Sequence, residues 1–299
     1  MHDDLIQDTQ ALLDARFQTA PPTRRLAMQA ALGVGYAMAA APIMAQTAIK
    51  TPSVGLTEGE IIIDVNGTQL PVYRAQPAGQ SKLPVVLVVS EIFGVHEYIA
   101  DVARRFAHAG YLAMAPELFV RQGDPQSFGE IAKIQSEIIA KVPDTQVMAD
   151  LDACVHWAGA NHGDTRRLGI TGFCWGGRIT WLAASQLDGV KAGVAWYGRV
   201  TGDKTPNNPS HPIDLVAQLK APVLGLYGGQ DTGIPLDQVE KMKEALASQK
   251  NKAAQASQFH IYPDAPHAFH ADYRPSYREA SAKDGWARCV AWFKQQGVV

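Results

Sequence analysis

One cysteine lies in a sequence pattern that is typical of a nucleophile. Cys174 has glycines two residues before and two after it, in the run Gly172-Phe173-Cys174-Trp175-Gly176-Gly177. Residues 168–171 predict a short buried strand, and residues 175–187 predict a helix. A side chain on such a sharp turn is held in a strained backbone, and the glycines let strand and helix pack closely. The helix N-terminus favours a thiolate, so the pattern indicates nucleophilic chemistry, with a buried structural cysteine as the alternative.

A thiol nucleophile needs a base, and that base needs a group to orient it. In a parallel sheet such groups come from loops at the carboxyl ends of strands. Asp231 follows a strand predicted at residues 222–227, and His267 follows the last predicted strand, at residues 258–262. We therefore predict a triad of Cys174, Asp231 and His267, in the chain order nucleophile, acid, base.

Other residues near these two loops compete for the same roles. His270 lies three residues beyond His267, and His260 lies inside the last predicted strand. Asp264 is a competing acid, but it is so near His267 in sequence that reaching behind the imidazole would be awkward. Chain order and loop placement favour Asp231 with His267. The alternatives, a turn or capping role for Asp231 and a surface-loop histidine at 267, stay open.

The carbonyl that a thiolate attacks develops negative charge, which preorganised backbone N–H groups stabilise. The amide of Trp175, directly after the nucleophile, is one candidate. The loop after a buried strand at residues 83–89 supplies the other, which we assign to Ile92. Glu91 then points to the same crevice, where its charge would oppose thiolate formation and compete with the histidine over the state of the thiol. A solvated or salt-bridged loop acid is the alternative for Glu91.

The elements that must position these residues alternate along the chain. Asn66-Gly67 lies between β-rich runs at residues 60–65 and 69–74, which predicts an N-terminal β-hairpin. Strands then alternate with helices, which predicts an α/β fold with a doubly wound, mostly parallel sheet flanked by helices. Further strands are predicted at residues 112–115 and 190–197, and a loop at 201–212. Helices are predicted at 98–109, 145–160, 236–248 and 277–296, and an amphipathic region that is mostly helix at 122–142.

The first 45 residues have the features of an export leader. Arg24-Arg25 precedes residues 27–45, which carry no charge and end in small residues. This pattern resembles a twin-arginine signal and predicts a periplasmic protein. A cytoplasmic protein with a disordered or docked arm, or an uncleaved anchor, is the alternative. We predict a leader at 1–45, a linker at 46–59 and a single domain at 60–299.

Composition limits the classes of function. The 299 residues are 46% hydrophobic and 19% charged, with a net charge of −2, so no basic surface suggests nucleic acid. Three widely spaced cysteines form neither a metal pattern nor a disulfide framework, and we expect no metal or organic cofactor. Cys154 and Cys289 fall on apolar helix faces and are predicted to be buried and unreactive. We expect a monomer or small homo-oligomer with no stable membrane partner.

Four ordered motifs resemble those of the dienelactone hydrolase family, from about residue 56 to the C-terminus. The resemblance implies an α/β-hydrolase fold and a carboxylic ester or lactone hydrolase with a Cys-His-Asp triad. It also implies that the glutamate at position 91 contacts the cysteine, and that the residues after each of these two form the oxyanion hole. The motifs are Ser90-Glu91-Ile92-Phe93-Gly94, Gly172-Phe173-Cys174-Trp175-Gly176-Gly177, Gly228-Gly229-Gln230-Asp231 and Pro266-His267-Ala268-Phe269.

The arginines depart from the family pattern. Members of the family hold a substrate carboxylate with two arginines, but residues 122–164 of this chain contain none. Arg121, Arg199 and Arg274 are the candidate substrate clamps, and each is also compatible with an ordinary surface role. Two alternatives to a small-molecule esterase or lactonase stay open: a non-catalytic binding or thiol-sensing protein, and a hydrolase of thioesters or peptides.

Overall fold

The computed structural model describes residues 48–299, so the predicted leader lies outside the described residues. Their backbone forms a sheet flanked by helices. The strands are β1 (Leu56–Val65), β2 (Thr68–Pro77), β3 (Leu83–Val89), β4 (Leu112–Pro116), β5 (Gly163–Phe173), β6 (Val190–Trp196), β7 (Val223–Gly228) and β8 (Gln258–Tyr262). The helices are α1 (Glu97–His108), α2 (Asp144–Ala160), α3 (Trp175–Gln186), α4 (Leu236–Ala247), α5 (Lys252–Ala256) and α6 (Glu279–Gln295).

The eight strands form one mixed sheet in the order β1-β2-β4-β3-β5-β6-β7-β8. β1 and β2 pair antiparallel across the Asn66-Gly67 turn, and β2 pairs antiparallel with β4. All later neighbours pair parallel. The carboxyl ends of β3, β5, β6, β7 and β8 therefore meet at one edge, where loops from distant parts of the sequence converge.

The first strand begins earlier than the sequence pattern predicts. β1 starts at Leu56, inside the range expected to be linker, because residues 56–59 pair with residues 74–77 of a long β2. Residues before β1 are also held by the body of the protein. The backbone N–H of Thr51 donates to Asp101 Oδ1 at 2.5 Å, and that carboxylate lies on α1.

The region predicted to be mostly helix, residues 122–142, is helical only in part. The structure has a 3₁₀ turn at Pro125–Ser127, followed by α-helical, π-helical and 3₁₀ turns between Ile131 and Lys141. Asp124 accepts a hydrogen bond from the backbone N–H of Gln126 and starts the first turn, and proline favours such a start. Apolar periodicity alone did not show that the unbroken helical stretch begins only at Ile131 and changes from α to π to 3₁₀ geometry along its length.

The core lies on both sides of the central strands. Every residue of β3 is buried, as a parallel strand covered on both faces requires. α3 packs against β5 and β6, so the helix that follows Cys174 is anchored on the sheet. Over residues 48–299, no helix is both long enough and apolar enough to cross a membrane.

Candidate active site

Cys174 lies at a strained turn between β5 and α3. Its backbone has φ 54° and ψ −113°, in a left-handed region that side chains other than glycine rarely adopt. The turn is held on both sides: the N–H of Cys174 donates to the carbonyl of Trp196 at 3.0 Å, and its carbonyl accepts from Gly177 N–H at 3.0 Å. Such strain is found where the surrounding structure fixes one side-chain direction, as at a nucleophile.

Two glycines are required by close backbone contacts at this turn. A Cβ on Gly172 would lie 2.1 Å from the carbonyl oxygen of Gly176. A Cβ on Gly176 would lie 2.4 Å from the carbonyl oxygen of Val89, at the end of β3. Backbone atoms cannot move aside as a flexible side chain can, so these positions admit only glycine. The spacing around Cys174 thus reflects the close approach of β3, β5 and α3.

His267 and Asp231 form a buried pair. His267 Nδ1 lies 2.7 Å from Asp231 Oδ2, and both residues are buried. The other carboxylate oxygen, Oδ1, accepts from the backbone N–H groups of Gly233 and Ile234 at 2.9 and 3.0 Å. Because two amides fix the carboxylate, the carboxylate can fix the imidazole in the tautomer that carries its proton on Nδ1.

The second nitrogen of His267 is available to the thiol. Nε2 is buried and has no hydrogen-bond partner among residues 48–299. Burial by itself lowers the pKa of His267, but the charges of Asp231 and Cys174 outweigh it and raise the pKa to about 10. The ring of Tyr197 packs edge-on against the imidazole, with centroids 5.1 Å apart. The surroundings of His267 therefore favour a protonated imidazole.

Glu91 is buried and its carboxylate is engaged by three neighbours. Tyr273 donates its hydroxyl to Oε2 at 2.6 Å, Arg274 Nη1 lies 3.5 Å from Oε1, and His96 Nε2 lies 3.5 Å from Oε2. Burial raises the pKa of Glu91, but these groups together hold it below its usual value. Among residues 48–299 no hydrogen bond or ion pair joins Glu91 to Cys174. The predicted competition between Glu91 and the histidine for the thiol stays a prediction.

The two candidate oxyanion donors come from neighbouring strand ends. Trp175 is the first residue of α3, so its N–H has no acceptor within the helix. Ile92 follows β3, which pairs with β5, and its side chain is buried. The indole of Trp175 packs on Phe119, with ring centroids 4.8 Å apart, and this contact fixes the start of the helix.

The three candidate substrate arginines have different surroundings. Arg121 forms a bidentate pair with Asp150, at 2.7 and 2.8 Å, so its guanidinium is already occupied. Arg274 is buried beside Glu91. Arg199 follows β6 at the catalytic edge and is exposed. Arg121 is therefore the substrate clamp that the geometry favours least. A substrate carboxylate would have to displace Asp150, whose two oxygens accept from both terminal nitrogens of the guanidinium.

The competing residues lie in other environments. His270 Nδ1 is 2.6 Å from the hydroxyl of Tyr98, and the ring is buried against aromatic side chains. His260 lies within β8, 3.8 Å from Asp284. Asp264 is exposed in the turn after β8. None of the three contacts Asp231, His267 or Cys174 through a hydrogen bond or ion pair within the described range.

Sequence reasoning did not find the residues that surround Glu91. Tyr273 and His96 contact its carboxylate, and Tyr98 and Tyr197 are buried next to them. Their spacing carries no catalytic pattern, and ordinary core tyrosines look the same in a single sequence. Of the groups around Glu91, the sequence indicates only Arg274, and it does so as a candidate clamp for a substrate carboxylate. In residues 48–299 no group of three His, Cys, Asp or Glu side chains could hold a metal ion.

Sheet order, strained cysteine turn and histidine–carboxylate pair define a hydrolase of the α/β-hydrolase class. Residues 70–297 match the dienelactone hydrolase family, and the chain belongs to that family. A Methylorubrum extorquens protein named "Putative carboxymethylenebutenolidase" is 54% identical over 92% of this chain and 94% of its own. A Bradyrhizobium protein named "Probable 2-oxo-3-(5-oxofuran-2-ylidene)propanoate lactonase" is 32% identical over 78% of this chain and 92% of its own.

A solved structure is similar along almost its whole length. The crystal structure of a Klebsiella pneumoniae chain titled "Putative Dienelactone Hydrolase" is 53% identical, with a TM-score of 0.78. The match covers 80% of this chain and 99% of that chain. The predicted family and fold class are confirmed, and the chain is a hydrolase that acts on ester or lactone bonds.

Proposed function

We propose that the chain hydrolyses carboxylic esters or lactones through a cysteine acyl-enzyme, with Cys174, His267 and Asp231 as the catalytic groups. The 2.7 Å contact between His267 Nδ1 and Asp231 Oδ2 carries this proposal, because it leaves Nε2 for the thiol. A base oriented by a carboxylate next to a nucleophile on a strained turn is the arrangement that acyl transfer needs.

The first step forms the acyl-enzyme. The sulfur of Cys174 attacks the ester or lactone carbonyl, and the carbonyl oxygen becomes an oxyanion that the amides of Ile92 and Trp175 stabilise. When the tetrahedral intermediate collapses, the C–O bond to the leaving group breaks. The protonated His267 gives its Nε2 proton to the leaving oxygen, so the alcohol or enol departs neutral. In a lactone, that oxygen stays attached to the acyl chain.

The second step releases the acid. His267, now neutral, accepts a proton from water at Nε2, and the resulting hydroxide attacks the thioester carbon. The same two amides stabilise the second oxyanion. Collapse expels the sulfur of Cys174 and frees the carboxylic acid, which ionises. Asp231 keeps the imidazole oriented through both steps and stabilises its charged form.

Glu91 is proposed to influence the thiol without acting as the base. Its carboxylate is fixed by Tyr273, Arg274 and His96. Glu91 follows β3, which pairs with β5, the strand that leads to the Cys174 turn. A negative charge held there disfavours the thiolate, and the imidazolium of His267 favours it. We expect Glu91→Gln to alter the pH dependence of kcat more than its maximum value, since the carboxylate takes no proton from substrate.

A cysteine exchange tests the mechanism. Cys174→Ala should lower turnover of p-nitrophenyl acetate and of a simple enol lactone by roughly 10³-fold or more, because the covalent route is lost. Cys154→Ala is the matched control: Cys154 is fully buried on α2, and its loss should leave turnover almost unchanged. Unchanged turnover in Cys174→Ala would remove the cysteine from the mechanism. Sulfenic acid or disulfide formation at Cys174 without ester turnover would instead support the thiol-sensing alternative.

The substrate is proposed to be a small lactone or ester, as the names of the relatives suggest. A panel of an enol lactone, a simple ester, a thioester and a peptide separates the candidate bonds. A lactone with and without a carboxylate tests the arginines. If Arg199 or Arg274 holds that carboxylate, its exchange to Gln should raise KM for the charged lactone and leave KM for the neutral lactone unchanged.

Export is proposed from the leader pattern alone. The Arg24-Arg25 pair and the uncharged run after it support a periplasmic mature protein that lacks residues 1–45. The mass of the mature N-terminus, measured from cells that carry a twin-arginine export system, tests this. A full-length chain in the cytoplasm would reject it. The expectation of a monomer or small homo-oligomer is tested by light scattering on the same material.

A further inference from the structure

A cavity lies at the opposite end of the sheet from the candidate active site. It has a volume of about 420 Å³ and lies between the β1–β2 hairpin, the turn that leads to β3, and the end of α2. β3 begins here and ends at the catalytic edge. Its seven residues, at about 3.3 Å each, place the two sites about 20 Å apart. The cavity is therefore separate from the chemistry of Cys174.

One cation lines this cavity without a counter-ion. Arg74, on β2, forms no ion pair with any residue between 48 and 299. Its Nη1 makes two long hydrogen bonds, to Thr57 O at 3.4 Å and to Gln76 Oε1 at 3.3 Å. Its Nε is buried and has no partner within the same range. Among residues 48–299 only Nη1 of this guanidinium has hydrogen-bond partners, so Nη2 is left to bind a ligand.

The surroundings leave room for a ligand on this guanidinium. Gly59 pairs with Arg74 across the strands and lies on the same face of the sheet. A Cβ at Gly59 would meet no atom within 4 Å, so the space beside Arg74 is open. Burial also lowers the pKa of Arg74, as expected for a cation whose charge no neighbour balances.

The lining selects the ligand by charge and shape. None of the nine residues around the cavity carries a carboxylate, so an anion meets no fixed negative side chain there. Gln76 offers an amide beside Arg74, and Trp157 offers a half-buried aromatic face. A volume of this size suits a small metabolite. The fork of an arginine matches the two oxygens of a carboxylate.

We propose that this cavity, which we call the Arg74 cavity, binds a small organic carboxylate with an apolar body. The carboxylate pairs with the guanidinium of Arg74, and the apolar part lies on Trp157. Ester or lactone hydrolysis produces carboxylates, so the products of the enzyme belong to the chemical class that this site accepts. The Arg74 cavity lies far from the sulfur, so binding there does not require the catalytic groups.

Titration calorimetry tests the proposal with benzoate and with inorganic phosphate as probes. Wild-type protein should bind benzoate saturably in the millimolar range. Arg74→Gln should weaken that binding by about tenfold or more, because a charge-assisted pair is lost. Arg166→Gln is the matched control. Arg166 lies at the same end of the sheet but is 88% exposed and pairs with Asp164, so its loss should not change benzoate binding.

Two further variants keep the test decisive. Arg74→Lys retains the charge without the fork and should bind benzoate more weakly than wild type, which gives a readout even if Arg74→Gln fails to fold. Trp157→Leu should weaken benzoate and leave phosphate unchanged. No saturable benzoate binding by wild type, equal binding in Arg74→Gln, or binding of phosphate alone would overturn the proposal. Because ester turnover does not enter this readout, its outcome is independent of the proposed mechanism.

Discussion

Two histidines on the loop after β8 lie three residues apart and have opposite chemistry. His267 faces the Asp231 carboxylate and the Cys174 sulfur, and its pKa is raised to about 10. His270 faces the hydroxyl of Tyr98, and burial together with the charge of Arg105 holds its pKa well below the usual value. Both are buried, so burial does not distinguish them. The charged partners supplied by other strands decide which ring can act as a base.

The largest expected effect separates the two rings by activity. His267→Gln should reduce kcat/KM for p-nitrophenyl acetate by about 10³-fold, because the proposed base that Asp231 orients is lost. His270→Gln should reduce it far less and instead lower the free energy of unfolding by about 1–3 kcal/mol, since a buried ring packed against Phe173 and Trp196 is replaced. Steady-state kinetics and urea unfolding on both variants measure this.

Equal losses of activity in the two variants, after correction for the folded fraction, would contradict the assignment of His267 as the base. Tyr98→Phe is a useful control, because it removes the hydrogen bond to His270 and leaves both imidazoles in place. It should resemble His270→Gln in its effect on stability and have little effect on kcat/KM.

A somewhat smaller effect is expected at the acid. Asp231→Asn should lower kcat by about 10²–10³-fold, because an amide neither stabilises the imidazolium nor enforces the proton on Nδ1. The control is Asp264→Asn, the exposed carboxyl that competes for this role in the sequence. It should stay within about twofold of wild type, as most exposed polar exchanges away from a site do. A larger loss at Asp264 than at Asp231 would reverse the assignment.

The difference between these residues shows how far sequence reasoning reaches. Cys174, Asp231 and His267 could be placed because each follows a strand, and strand ends of a parallel sheet converge. The hydrogen bond between His270 and Tyr98 joins residues 172 positions apart, and no local pattern records it. The contact of Glu91 with Tyr273 spans 182 positions. Such contacts depend on how side chains pack after the strands have met.

The elements outside the sheet show the same limit. The bounds of β8 were predicted without error, and those of the long helices were within two residues, because apolar periodicity and helix-ending residues mark them. The prediction for residues 122–142 was correct only from Ile131 to Lys141, because the loop and the 3₁₀ turn before Ile131 share the apolar spacing of a helix. The start of β1 was predicted too late, because residues 56–59 become a strand only by pairing with the end of β2. That partner lies about twenty residues further along the chain.

The pH dependence of stability should have opposite signs for the two rings. The pKa of His267 is higher in the folded state than the unfolded value of about 6.5, so its contribution is full below that pH and is lost as pH rises towards the folded pKa. The folded pKa of His270 is lower, so its contribution is full above about pH 6.5 and is lost as pH falls. Each slope is at most about 1.4 kcal/mol per pH unit, the limit for one proton.

The measurement uses Cys174→Ala as the parent, which removes the sulfur next to the imidazole of His267. In this parent Asp231 still raises the pKa of His267, although the sulfur no longer contributes. Urea unfolding from pH 5 to 9 is compared between the parent and the same chain with His267→Gln or His270→Gln. The difference in free energy of unfolding between the parent and His267→Gln should shrink above neutral pH. The difference between the parent and His270→Gln should shrink below neutral pH. Parallel slopes would show that the two rings do not differ as the structure indicates.

The smallest expected effect concerns the reactivity of the thiols. Cys154 and Cys289 are fully buried, and burial raises the pKa of both, whereas Cys174 is partly accessible. Iodoacetamide should therefore label Cys174 first, and His267→Gln should slow that labelling by about tenfold because the imidazolium beside the sulfur is lost. In His270→Gln, Cys174 should be labelled at the wild-type rate, since the ring that is removed faces Tyr98 rather than the thiol.

Mass spectrometry of each cysteine-containing peptide over time gives the three rates within one sample, with Cys154 and Cys289 as internal references. Equal slowing by both histidine variants would mean that the Cys174 turn responds to general loosening of the loop after β8, and the electrostatic distinction between the two rings would then fail.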